Sequence, residues 1–121
     1  MADEVAIRFA ANIVGWKSKL QADEWYFVTL CDEMVASLSP AEAFDQIGGV
    51  VELVLNQNVG YLCLRAVALL LALARKSNTT ELHPRLRLSW EPLIVHLASF
   101  GGNIQDHADE LTSWYRHRTK E

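Results

Sequence analysis

The sequence holds little that could do chemistry. Its two cysteines, Cys31 and Cys63, sit inside apolar helical patterns, with no CxxC and no metal-ligand spacing. Free, buried thiols in a reducing compartment are expected, and a disulfide forms only if the two helices touch face to face. The four histidines, His83, His96, His107 and His117, include no i,i+4 pair, so no helical metal pair is expected. A Walker loop, a dinucleotide fingerprint, a GxSxG elbow and an HExxH motif are all missing. No catalytic residue, metal or cofactor is expected. The longest unbroken apolar run, Ala66 to Ala74, is too short to span a bilayer, and the acidic N-terminus has no signal-type apolar stretch. A soluble, cytoplasmic chain with no membrane contact is expected.

Basic residues are also scarce in one half. Residues 1–60 carry nine acids and three bases, and residues 61–121 carry six acids and eight bases. The acidic half disfavours nucleic acid and suits a basic partner. Ordinary solvated helix faces account for most of these charges better than a partner does.

What is present is helical periodicity over 121 residues, long enough for one core. Phe9, Ile13, Trp16 and Leu20 repeat at four, three and four, which predicts a helix over 3–20. Asp23 is expected to cap a second helix to Leu38, ridged by Phe27, Cys31, Met34 and Leu38. Ser39-Pro40-Ala41-Glu42 reads as a capping box with proline in the first turn. Two glycines inside a helix cost roughly 2 kcal/mol. Gly48-Gly49 is therefore read as a corner between a short helix and a new one from Val50. Tyr61 to Lys76 is apolar nearly all round, the mark of a central helix. Between Ser77 and Leu88 a short helix or extended connector is expected, with Thr80 as a cap. Helices follow over 90–99 and, capped by Asn103, to about His117.

An offset of 42 residues superimposes Val51 on Leu93, Leu53 on Val95 and Leu55 on Leu97. It continues with Gly60 on Gly102, Leu62 on Ile104, Ala66 on Ala108, Leu69 on Leu111 and Leu73 on Tyr115. That period lies in the armadillo/HEAT range. Residues 40–118 resemble the armadillo family, through Gly48-Gly49-Val50-Val51-Glu52-Leu53-Val54, Ile104-Gln105 with Ala108, Leu62 with Ala66, and Pro92. The resemblance implies an all-α, short, right-handed stack of about three helical hairpins in one domain, 1–121. Within it, 3–38 would be a degenerate capping hairpin, and 40–76 and 80–118 repeats. The family's peptide-binding Asn ladder falls on Ala72 and Trp114, and its Trp on Ala68 and Glu110. Basic-peptide recognition of the nuclear-import kind is therefore not implied.

The expected function is a non-enzymatic protein-binding module. Small acidic helical chains include bacterial immunity proteins, which mask a toxin that is often a basic nuclease, and an immunity-type inhibitor, monomeric when free, fits the charge. Candidate contact residues are Trp25, Asp32, Glu33, Asp106, Asp109, Trp114 and Arg116. The alternatives are a scaffold or adaptor, and an enzyme or ligand-binding protein with a pocket near His96, His107 and Cys63. A third is nucleic-acid binding through Arg65, Arg75, Lys76, Arg85, Arg87, Arg116, Arg118 and Lys120, against which the net charge of −4 argues.

Overall fold

A computed structural model describes residues 3–115. Within them the chain is all-helical, with no strand: α1 (Glu4–Ile13), α2 (Trp16–Ala22), α3 (Tyr26–Ala36), α4 (Pro40–Leu55), α5 (Gly60–Ser77), α6 (Pro84–Leu88), α7 (Trp90–Ala98) and α8 (Gly102–Trp114).

Helix α4 starts as the capping box requires. The Ser39 hydroxyl accepts from the Glu42 N–H at 3.1 Å, and the Glu42 carboxylate accepts from the Ser39 N–H at 2.8 Å. The helix then runs unbroken through Gly48 and Gly49, so the expected corner is absent. Local propensity loses here to tertiary contact. A Cβ on Gly48 would lie 2.8 Å from Arg85 Cδ and 2.9 Å from His83 Cε1. On Gly49 it would lie 2.6 Å from Asp3 Oδ1 and 3.4 Å from the Ala6 Cβ. The glycines let the starts of α1 and α6 press onto the α4 backbone. Gln46, buried on the same turn, completes the joint by accepting from the Val5 N–H at 3.0 Å. Arg85 then ties the assembly with a 2.8 Å ion pair to Glu52 and a looser one to Asp3.

Helix α5 has the central place that its all-round apolarity implies. It packs against α3, α4 and α8, while α4 packs against α1, α5, α6 and α7. One hydrophobic cluster runs from Val5 and Phe9 through Leu69, Leu70 and Leu73 to Leu111 and Tyr115. Each fully buried Leu or Val contributes about 1.5–3 kcal/mol. A few such residues outweigh the propensity cost of two helical glycines.

Other boundaries differ from expectation. The helix predicted over 3–20 breaks at Val14–Gly15, where Gly15 has φ +69°, a conformation that costs glycine nothing. Asp23 is not the cap of α3. Its Oδ1 accepts from the Trp25 N–H at 3.0 Å in a turn that precedes the helix. Thr80 caps nothing, because α6 begins at Pro84, where the His83 Nδ1 accepts from the Arg85 N–H at 3.1 Å. Asn103 lies inside α8, whose cap position is Gly101. The predicted end of α8 at His117 lies outside the described residues.

At the 42-residue offset, Val51 and Leu93 are both buried, as are Leu62 with Ile104, Ala66 with Ala108, Leu69 with Leu111, and Leu73 with Tyr115. Gly60 and Gly102 each begin a helix. Leu53 is buried where Val95 is exposed, and Leu55 is half-buried where Leu97 is fully buried. Residues 40–47 of the continuous α4 fall, at this offset, on residues 82–89, which hold the short α6 and the non-helical residues on either side of it.

Candidate protein-binding face

The most distinctive surface belongs to α3. Its inner ridge, Phe27, Leu30 and Met34, is buried. Phe27 lies 5.9 Å from the Phe9 ring and 6.1 Å from Tyr61, with Tyr26 edge-on at 5.1 Å. Trp16 stacks on the other side of this group, 5.7 Å from Tyr61. Tyr26 and Phe27 therefore take the inward positions, and Trp25, one residue earlier, is left 61% exposed. Thr29, Asp32 and Glu33 follow it at four, seven and eight residues, all exposed and on the same helix face.

Asp23 and Glu24 extend this face at its N-terminal end. None of the four carboxylates, Asp23, Glu24, Asp32 or Glu33, is in an ion pair among the described residues. Glu52 and Glu110, by contrast, are held by Arg85 and Arg75. Asp23, Glu24, Asp32 and Glu33 are exposed. Beside α3, a groove of about 250 Å³ runs between α1 and α3, lined by Arg8, Asn12, Asp23, Tyr26, Thr29, Leu30 and Glu33. Its nearest basic side chain is thus Arg8, which lines it together with Asp23 and Glu33. The Tyr26 hydroxyl donates to Asn12 Oδ1 at 2.6 Å, and Lys19 Nζ donates to the Asn12 carbonyl at 2.9 Å while lying over the Tyr26 ring. These contacts hold the groove wall between α1 and α3.

The seven expected contact residues do not form one patch. Trp25, Asp32 and Glu33 share the α3 face. Asp106 and Asp109 are exposed on α8, where Asp109 accepts from Gln105 Nε2 at 2.9 Å. The two helices are separate neighbours of α5. Trp114 is half-buried, and its indole N–H donates to the Thr79 carbonyl at 3.0 Å, so it pins the 78–83 segment onto α8. Arg116 lies outside the described residues. The sequence analysis takes Asp23 as a helix cap and misses both Asp23 and Glu24 as neighbours of the exposed Trp25. Their signal was their adjacency to Trp25.

The residues of the pocket alternative are engaged separately. The His96 ring donates from Nε2 to the Gln57 carbonyl at 2.9 Å, and His107 from Nδ1 to the Asn103 carbonyl at 2.8 Å. Cys63 is fully buried in the core, and burial pushes its thiol up to about 11. Burial likewise pushes Cys31 up to about 12, with Arg65 partly opposing and nearby Asp32 adding to the effect. Both thiols are free and stay protonated at neutral pH, so neither is an activated nucleophile. Among the described residues no group of three or more His, Cys, Asp or Glu is placed to hold a metal ion. No described helix is long and apolar enough to cross a membrane.

No family model matches the chain, and neither curated proteins nor solved structures give a match.

Proposed function

We propose that this chain is a non-enzymatic protein-binding module, an immunity-type inhibitor that binds and masks a basic toxin domain through the outer face of α3. The observation that carries the reading is an exposed tryptophan beside four exposed carboxylates, none of them in an ion pair among the described residues. An accessible Trp ringed by charge is the usual composition of a binding hot spot. Exposed acid steers a basic partner and raises its association rate. Three helical hairpins stacked as in armadillo/HEAT proteins, with 40–76 and 80–118 as repeats, would supply a rigid support, and the like burial at the 42-residue offset favours that arrangement. On this reading the α8 acids, Asp106 and Asp109, lie at the edge of the contact or outside it.

The test is capture from the native host, followed by reconstitution with whatever basic protein is encoded next to this chain. The pair should associate at a rate that falls steeply with added salt, and the partner's toxic or nuclease activity should be lost in the complex. Trp25→Ala should weaken binding by about 2 kcal/mol, roughly 30-fold in Kd. Asp32→Lys with Glu33→Lys should slow association at low salt. Failure to recover any basic partner, or a complex whose rate ignores salt and both substitutions, would overturn the reading.

A further inference from the structure

Away from the α3 face, a pocket of about 290 Å³ lies between the start of α4 and the segment that leads from α5 to α6. Pro40, Phe44, Asp45, Thr79 and Glu81 are among its walls, and none of its walls is a basic residue. Asp45 and Glu81 are exposed, and neither is in an ion pair among the described residues.

His83 touches this pocket's wall, its ring lying 5.3 Å from the Phe44 ring. The ring is engaged on α4 and α6. A Cβ on Gly48 would lie 2.9 Å from its Cε1, and its Nδ1 accepts from the Arg85 N–H at 3.1 Å. That bond uses the Nδ1 lone pair, so only the neutral imidazole can make it. A protonated ring has two donors and no acceptor.

The charges around the ring belong to its own helix and to the elements packed on it. On α6 they are Arg85 and the exposed Arg87, and on α7 the exposed Glu91. On α4 they are Glu42, held in the capping box, Asp45, and Glu52, held by Arg85. Glu81 stands two residues before the ring, and Asp3 is tied to Arg85. Burial and the Arg85 charge oppose protonation of the ring, and Asp45 favours it. A cation is thus resisted where the ring now sits, and two carboxylates wait beyond Phe44.

We propose that His83 is a two-position proton switch. Neutral, it caps α6; protonated, it turns past Phe44 into the pocket, towards Asp45 and Glu81, and leaves the first turn of α6 uncapped. A five-residue helix is too short to hold itself, so α6 then rests on Leu86, its buried residue. An exposed ion pair is weak. The second position is therefore populated only in acid, below the ordinary histidine value of about 6.5. The α3 face takes no part, so this inference stands apart from the toxin-masking reading.

Proton NMR of the chain between about pH 7.5 and about pH 5 tests it, a range above most carboxylate titration. At the upper end, the His83 Hε1 should show a nuclear Overhauser contact to the Gly48 Hα protons. As the ring titrates, that contact should fade and one to the Thr79 methyl group should appear. The Arg85 amide should lose about tenfold or more of its protection against exchange, while the amides of α5 keep theirs. Asp45→Asn with Glu81→Gln removes the receiving charges at exposed positions, and its melting curve at neutral pH confirms that it folds. There the His83 titration should move down by about half a pH unit, and the Thr79 contact should be missing. A ring that keeps its Gly48 contact while it titrates would overturn the proposal. So would a ring that leaves Gly48 without meeting Thr79, which is release into solvent, or a titration that the double substitution does not move. Loss of α5 protection over the same range would overturn it too, since the molecule would then be unfolding as a whole.

Discussion

A methyl group at Gly48 would meet the middle of the Arg85 side chain and the ring of His83, both already committed elsewhere. Arg85 holds Glu52, and His83 caps α6 and lies 5.3 Å from the Phe44 ring. At Gly49 the closest atom is the tip of the exposed Asp3 carboxylate, which can swing away. Gly48→Ala is therefore expected to destabilise by about 1–2 kcal/mol, overpacking outweighing the gain in helix propensity. Gly49→Ala should be neutral or stabilising by up to about 1 kcal/mol. Equal urea midpoints for the two variants would show that the packing around Gly48 is loose. Tyr115 offers a second residue-scale case. It is fully buried where the 42-residue offset places Leu73, and its hydroxyl has no hydrogen-bond partner among the described residues. Burial alone pushes that hydroxyl up to about 12. Tyr115→Phe removes a buried polar group and should raise stability by about 1 kcal/mol, read from the same denaturation curves.

At the scale of elements, α6 is held by an interaction that depends on a neutral imidazole. His83 accepts the Arg85 N–H through Nδ1, which needs that nitrogen unprotonated. Burial lowers its pKa, the neighbouring Arg85 charge lowers it further, and Asp45 opposes. A histidine depressed on folding binds protons more readily when unfolded. Its contribution is therefore complete above the unfolded value of about 6.5 and is lost as pH falls through the lower folded value. Melting temperature should decline between about pH 7 and pH 5, a window above the carboxylate range. His83→Asn retains a capping acceptor without a titratable ring and should flatten that decline. An unchanged slope would remove His83 from the account. The elements also show where sequence was readable. Ser39 through Glu42 marked the start of α4 because a capping box is satisfied by residues three apart. The spacing of Phe27 and Met34 marked the inner face of α3 for the same local reason. Gly48-Gly49 misled because its contacts come from Asp3 and Arg85, more than thirty residues away in either direction. A window around the glycines contains only their propensity cost. Trp25 was identifiable as a candidate. Its separation from Asp106 and Asp109 was not, because that depends on α3 and α8 packing independently on α5.

For the whole molecule, the α4–α5 pair is the part on which the remaining helices depend. Helix α1 is not adjacent to α4 in sequence, yet its start is seated on α4 through Gln46 and Gly49. The second N–H of a helix ordinarily has no partner within its own helix and exchanges with solvent readily. Here the Val5 N–H is bonded to a buried side chain 41 residues along the chain. That single amide becomes a clock for the docking of the first helix. In deuterium its signal should fade at the rate at which α1 lifts from α4. With Gln46→Leu in place it should fade much sooner, while the amides of α5 keep their pace.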